Sequence, residues 1–187
     1  MAQETCERLS LDSMIMLPAG NPPHRSGVSS SEHRLNMLNA AVADYPRLTV
    51  DAREVLRGQR SWSVISCREY RAEYPDAVIY WCMGSDAFAL FHTWHAWAEI
   101  LSLVNIAVIA RSGAPLSPNS EVWQHLDRDV LQSQPNARAG SVVCLSLNKI
   151  AVSSSQIRTQ LKSQHTPPQG LPEPVSQYII NHKLYSQ

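Results

Sequence analysis

The sequence predicts an α/β fold, a parallel sheet flanked by helices, on three observations. Five short runs rich in Val, Ile and Met alternate with longer segments of helical periodicity. Three of those runs are apolar almost throughout, as strands are when helices cover both faces of a parallel sheet. Two loops crowded with turn residues, 18–30 and 111–120, each follow an apolar run, which places them beyond strand carboxyl ends, where open α/β sheets bind ligands.

Taken in order, "SMIML" at 13–17 is the first candidate strand, and "PAGNPPHR" at 18–25 is the proline-stiffened loop after it. That loop offers Asn21, His24 and Arg25, and its stiffness lowers the entropic cost of holding donors against a ligand. Taken alone it fits a surface turn better. The next segment, "SSSEHRLNMLNAAVADYP", predicts a helix: Ser29 and Glu32 stand in capping-box spacing, Leu35, Leu38 and Val42 share a face, and Pro46 stops it. "RLTVDA" at 47–52 is the second strand, "SVISCREYRAEYP" a helix, and "AVIYWCM" at 77–83 the third strand. "FHTWHAWAEILSL" is expected to be a helix, followed by the strand "NIAVIA" at 105–110 and the helix "NSEVWQHLDRDVLQSQ". "SVVCLSL" at 141–147 is the fifth strand, and the helices "SSSQIRTQLKS" and "LPEPVSQYIINHKLY" close the chain.

A length of 187 residues fits one domain, 1–187, with a C-terminal helical segment from about 153. Lys plus Arg equals Asp plus Glu at 16 each, which excludes the broad basic field of a non-specific nucleic-acid or membrane binder. Any anion site must be local. Cys6, Cys67, Cys82 and Cys144 form no CxxC pair, and Cys82 and Cys144 lie in runs expected to be buried strands, so reduced thiols are expected. "MAQETCERLS" is not a signal peptide and no segment approaches a membrane span, which points to a cytoplasmic protein.

Three further segments carry chemistry. "MGSDAF" ends a strand at Gly84, where backbone can approach a ligand, and sets Asp86 at a helix start, as an N-cap or as an acceptor for a ribose hydroxyl. "HTWHAW" packs two Trp and two His into six residues, which suits a platform for a flat heterocycle or an amphipathic surface. His92 and His95 stand three apart, but no further ligand cluster of convincing spacing accompanies them, so no metal site is expected. "VSSSQIR" leads hydroxyls into a helix start with Arg158 one turn inside: an anion site, or a plain Ser cap with a solvated Arg. GxSxG, GxxxxGKS and a Cys/His pair are absent, which disfavours covalent catalysis.

In order, "PAGNPPHR", "RLNMLNAAVADYPRLTVDARE", "SWSV", "YPDAVIYWCMGSDAF", "TWHAWAEIL", "AVIARSG", "VSSSQIR" and "LPEPVSQYIINHKLY" resemble bacterial nicotinate-nucleotide adenylyltransferase, a member of the nucleotidyltransferase superfamily, over essentially the whole chain. The resemblance implies a doubly wound, Rossmann-like parallel sheet with helices on both faces. It also implies transfer of the adenylyl group of ATP to nicotinate mononucleotide, with Mg2+ assisting and pyrophosphate released. By resemblance Trp94 stacks on the pyridine, and backbone groups around Ser63, Val64 and His95 hold its carboxylate. His24 and Arg25 border the mononucleotide, Gly84 and Asp86 face the nucleotide ribose, and Arg111, Ser154, Ser155 and Arg158 surround ATP phosphates and adenine. The partners implied are these small molecules and at most a second copy of the chain, with neither nucleic acid nor membrane.

This chain departs from the family at its start. The family's first strand, Gly-rich turn and HxGH motif are not in the sequence, and "ETCERLSLD" reads as the last turns of the helix that follows them. Arg158 is then the one group left for phosphate charge among the catalytic candidates. A central strand missing from such a sheet leaves its neighbours without a pairing partner, so a trimmed start and a weak, nearly inactive chain are the expectation. "SVISC" replaces a run that is often Thr-Asp-Thr-Leu-like, and Ser155 stands where Thr is common. Two alternatives stay open: a non-catalytic pyridine-nucleotide binder, and an adenylyltransferase for another phosphorylated substrate.

Overall fold

The structure, a computed structural model, describes residues 1–20, 29–58, 61–110, 120–126, 137–147, 154–164 and 170–185. Two units emerge: Met1–Ser61 with Ile150–Gln187, and Trp62–Lys149. Both are α/β, and every described strand pair is parallel.

The first unit opens with helix α1 (Ala2–Arg8), which buries Thr5 and Cys6 and ends within "ETCERLSLD". Strand β1 (Met14–Met16) pairs in parallel with β2 (Leu48–Val50), Met14 against Leu48 and Met16 against Val50. Between them helix α2 (Ser31–Val42) begins one residue later than the expected box: Ser30, not Ser29, is the N-cap, its Oγ accepting from the His33 N–H at 3.2 Å. Ser29 is engaged elsewhere, its hydroxyl 2.9 Å from the Tyr185 hydroxyl and its carbonyl accepting from Arg34, so Ser30 and not Ser29 pairs with the helix. After β2, Asp51 accepts from the Arg53 N–H at 2.8 Å and starts the one-turn helix α3 (Arg53–Leu56).

Helices α7 (Ser154–Gln164) and α8 (Glu173–Asn181) complete this unit. Pro174 in the first turn of α8 costs no hydrogen bond, because that N–H has no partner in a helix. Leu161, Val175 and Ile179 form a small core that Met37, Ala40 and Ala41 of α2 cover. The Tyr178 hydroxyl accepts from Asn36 Nδ2 at 3.0 Å and lies 3.0 Å from His33 Nδ1, which fixes α8 along α2.

The second unit carries a three-stranded parallel sheet, β3 (Tyr80–Gly84), β4 (Asn105–Ala110) and β5 (Val142–Ser146), in that order. Helix α4 (Ser63–Glu73) precedes it, α5 (Ser85–Ala89) follows β3, and α6 (Trp97–Leu103) leads into β4. Phe88, Phe91, Ile100, Val104, Ile106 and Val122 are fully buried at its centre. Strand β3 starts three residues later than expected because the chain at 74–77 closes α4: the Ala77 N–H donates to the Tyr74 carbonyl, and the Ala77 carbonyl accepts from Arg71.

Three expectations fail here. "FHTWHAWAEILSL" is not one helix: a 3-10 turn spans Phe91–Thr93, Trp94 is extended, and Ala96 is left-handed at φ 53° before α6 begins. Phe91 meets both Trp94 and Trp97 edge-on, at 5.7 and 6.1 Å between ring centres, while the Thr93 hydroxyl donates to the Leu90 carbonyl. Such a left-handed Ala costs about 1–2 kcal/mol, offset by the aromatic burial around it. The segment 119–134 shows a 3-10 turn at Glu121–Gln124 where a helix was expected; 127–134 lies outside the described residues. Strand β5 also alternates in exposure instead of being buried throughout. Val142 is buried, Val143 and Leu145 are half-buried, and Cys144 and Ser146 are exposed. Cys82 is half-buried, Cys6 and Cys67 are buried, and none of the four forms a disulfide.

Candidate functional site

The register of the second unit aligns the strand ends that a ligand would meet. Gly84 pairs with Ile109 in β4, and Ala110 with Ser146 in β5, so these residues share one edge of the sheet. Gly84 is both the last residue of β3 and the N-cap of α5, which receives no side-chain capping bond. Asp86 therefore does not cap: it stands exposed in the first turn, with its carboxylate at the strand's carboxyl end.

A second cluster lies between α4 and α6. The ring of Trp62, the residue before Ser63, stacks on His95 at 4.9 Å with a 36° tilt. This contact joins the start of α4 to the turn that carries Trp94 and His95. Trp94 is half-buried, one side against the core at Phe91, and His95 is exposed. The α4 N-terminus has no side-chain cap, and the first N–H groups of a helix lack intrahelical acceptors, so the backbone of Ser63 and Val64 favours a negative group. Val64 itself is buried and anchors the turn in the core.

Electrostatics reinforce this pairing of helices. Arg68 of α4 forks onto Glu99 of α6, Nε to Oε1 at 2.5 Å and Nη2 to Oε2 at 2.6 Å. The hydrogen bond from Arg68 holds the Glu99 carboxyl below its ordinary range, and Glu99 in turn raises the Arg68 guanidinium.

In the first unit, Arg34 of α2 donates to the carbonyls of Ala19, Gly20 and Ser29, the residues flanking 21–28. His24 and Arg25 lie outside the described residues, as does Arg111 of the second unit. Ser154 and Ser155 open α7, with Arg158 one turn inside and half-buried.

The Cytidylyltransferase-like family profile matches residues 1–160. A probable nicotinate-nucleotide adenylyltransferase of Acidithiobacillus ferrooxidans is 35% identical over 98% of this chain and 86% of its own length. Its counterpart in Hydrogenovibrio crunogenus is 34% identical over 98% of the chain and 88% of its own. The chain belongs to the nicotinate-nucleotide adenylyltransferase family. A solved Plasmodium falciparum nicotinic acid mononucleotide adenylyltransferase, complexed with APC, shares the fold with a TM-score of 0.67 over 98% of this chain and 89% of its own, at 13% identity.

For an adenylyltransferase of this family the doubly wound α/β class expected from the sequence holds. Two residues of the candidate site escaped sequence reasoning. Trp62 sits in the quoted "SWSV", but its partner His95 is 33 positions on, and only tertiary structure joins them. Arg34 was not singled out, and its sole signal was a position just past a Ser-rich cap.

Proposed function

We propose that the reaction this protein serves is transfer of the adenylyl group of ATP to nicotinate mononucleotide, giving deamido-NAD and pyrophosphate in cytoplasmic NAD biosynthesis. The observation that carries this reading is the Trp62–His95 stack, which sets an indole platform at Trp94 beside the uncapped N-terminus of α4. A flat ring bearing a carboxylate needs that pair: an aromatic face for the pyridine and backbone N–H groups for the negative charge.

Under this reading Trp94 stacks on the pyridine, and backbone groups of Ser63, Val64 and His95 receive its carboxylate. His24 and Arg25 border the mononucleotide phosphate, Gly84 and Asp86 face the ribose, and Arg111, Ser154, Ser155 and Arg158 meet ATP. A phosphate oxygen of the mononucleotide attacks the α-phosphorus in line, and the bond from that phosphorus to pyrophosphate breaks. The protein aligns the two and neutralises charge, without a nucleophile of its own. Mg2+ is hard and prefers oxygen ligands, whereas the one cluster of three or more donors among the described residues contains two imidazoles. Mg2+ therefore fits best as a companion of ATP, carried by its phosphates. The family match over 1–160 supports treating 1–187 as one nucleotidyltransferase domain with a helical C-terminal segment from about 153.

The test measures pyrophosphate and deamido-NAD formation from ATP with nicotinate mononucleotide, its amide analogue and a non-pyridine phosphorylated acceptor. It uses the 187-residue chain beside a version extended by the family's strand and HxGH segment. Preferred turnover of the nicotinate substrate by the extended chain is the expected result. Faster reaction with the non-pyridine acceptor would overturn the assignment.

A further inference from the structure

We infer that His92, Glu121 and His125 form a binding site for a borderline transition-metal ion of the Zn2+ type, separate from the Mg2+ that accompanies ATP. The three lie in the second unit, His92 within the 3-10 turn Phe91–Thr93, Glu121 at the start of the turn Glu121–Gln124, and His125 just after it. One ligand atom from each falls within 4.8 Å of the others. The Nε2 atoms of His92 and His125 both stand 3.9 Å from Glu121 Oε1.

Those separations are too long for hydrogen bonds yet match donors around an ion. Zinc sits about 2.0–2.2 Å from each N or O ligand, so two ligands of one ion stand up to about 4 Å apart. The remaining separation closes by rotation of His125, whose side chain is 45% exposed. Their rings now stack at 4.7 Å and 9°, so binding one ion through both nitrogens requires the exposed His125 ring to tilt out of the stack. Neither segment is adrift, because Phe91 beside His92 and Val122 beside Glu121 are both fully buried in the same core.

A packing explanation accounts poorly for His92. Its side chain is 10% exposed, and its Nδ1 is buried without a hydrogen-bond partner among the described residues. That atom is not the Nε2 that faces Glu121, so what points to an ion is the convergence of the two Nε2 atoms on the Glu121 carboxylate. An ion pair with Glu121 is a weak substitute, since that carboxylate is 69% exposed and in high-dielectric surroundings. Two imidazoles and one carboxylate, with a fourth position open to water, are a zinc ligand set; Mg2+ and Ca2+ prefer all-oxygen shells. An ion bound here would pin the turn that bears Trp94 and His95 to residues 121–125, giving it a structural role.

The experiment strips the full chain with a chelator, then titrates Zn2+ against a chromophoric competitor. In parallel, Co2+ is added as a spectroscopic probe and thermal unfolding is followed with Zn2+ and with Mg2+. One equivalent of Zn2+ is expected, with visible absorption from bound Co2+ and an upward Tm shift that Mg2+ does not reproduce. His125→Ala and Glu121→Gln, both at exposed positions that leave the core intact, should each weaken Zn2+ about tenfold or more and abolish the Tm shift. His92→Ala should do the same, and metal-free Tm values of all three variants separate ligand loss from misfolding. Zn2+ binding of wild-type strength in the His125→Ala/Glu121→Gln double variant, or no binding by the native chain at about 100 μM Zn2+, overturns the site. None of these readouts depends on adenylyl transfer, so the failure of either proposal leaves the other standing.

Discussion

The carbonyl of Gly20 accepts a hydrogen bond from the Arg34 guanidinium at 2.7 Å. The same guanidinium reaches the Ala19 and Ser29 carbonyls, both at 2.5 Å, so one side chain holds both ends of the segment that carries His24 and Arg25. Gly20 is fixed from the other side as well: a Cβ there would lie 2.1 Å from the Glu54 carbonyl oxygen, a clash with backbone that cannot swing away. Gly20→Ala is therefore expected to prevent stable folding of the first unit, seen as loss of a cooperative thermal transition.

Arg34→Ala removes three charge-assisted bonds, with an expected stability loss of about 2–3 kcal/mol. If the loop borders the mononucleotide, the Michaelis constant for nicotinate mononucleotide should rise about tenfold while that for ATP stays level. Arg34→Lys should recover only part, because an ammonium cannot fork between Gly20 and Ser29. A variant that loses stability but keeps its mononucleotide Michaelis constant would remove the loop from the substrate site.

Trp94→Ala tests the aromatic platform. Stacking of a base on an indole is worth about 1–3 kcal/mol, so the mononucleotide should bind roughly 5- to 100-fold more weakly, with ATP affinity unaffected. Trp62→Ala deprives His95 of its ring partner and should show the same selectivity in smaller measure. Calorimetry with each substrate separates the two, and equal losses for both substrates would argue for general unfolding.

The Arg68–Glu99 fork gives a pH dependence of definite sign. Glu99 has a folded-state pKa below its unfolded value, so its stabilisation is present above the ordinary carboxylate pKa of about 4.3 and fades as pH falls through the folded value. Glu99→Gln should lower the denaturation midpoint at neutral pH and converge with the native chain in acid. Both side chains are largely exposed, at 54% and 40%, so the gap should also shrink in high salt.

How much of this was legible in the sequence depended on whether a signal was local. Strand β4 was read at both ends, since an apolar β-branched run between a helix and a turn-rich loop has few other solutions. Phe91, Trp94 and Trp97, three apart, fit a helix and a 3-10 turn alike, and nothing in an alanine announces the left-handed backbone of Ala96. The run of β5 looked as buried as that of β4, which has a neighbour on each side, because periodicity cannot tell an edge from a centre. His92 and His95 were judged as a pair for metal, and the ligands that fit His92 lie 29 and 33 positions away.

Thiol labelling checks the exposure pattern that replaced the buried-strand expectation. Cys144 should react first with a small alkylating reagent, Cys82 more slowly, and Cys6 and Cys67 only on unfolding. Burial pushes the Cys6 and Cys144 thiols both up, so the order follows from access and not from thiolate fraction. Peptide mass spectrometry resolves the order, and early modification of Cys67 would contradict the packing of α4 against its core.

Arg71 is the last case, and the one where a single side chain closes the most backbone. Its guanidinium donates to the carbonyls of Leu103 at 2.8 and 2.9 Å, Ala77 at 2.8 Å, Arg138 at 2.9 Å, and Tyr74 and Pro75 at 3.2 Å. These acceptors are the end of α4, the turn into β3, the end of α6 and the approach to β5, so the charge joins three chain reversals of the sheet unit. Burial and the nearby Arg138 charge lower the Arg71 pKa, yet it starts so high that the group stays cationic at any physiological pH. Arg71→Met keeps the aliphatic stem and removes the guanidinium from all five carbonyls, of which Tyr74 keeps the Ala77 N–H and Pro75 keeps Arg138, with an expected loss of about 2–4 kcal/mol and a Tm lower by roughly 5–15 °C. Arg71→Lys should fall between, since three donors on a flexible stem cannot reach five carbonyls at once. A Met variant as stable as the native chain would mean that water satisfies those carbonyls as well as the guanidinium does.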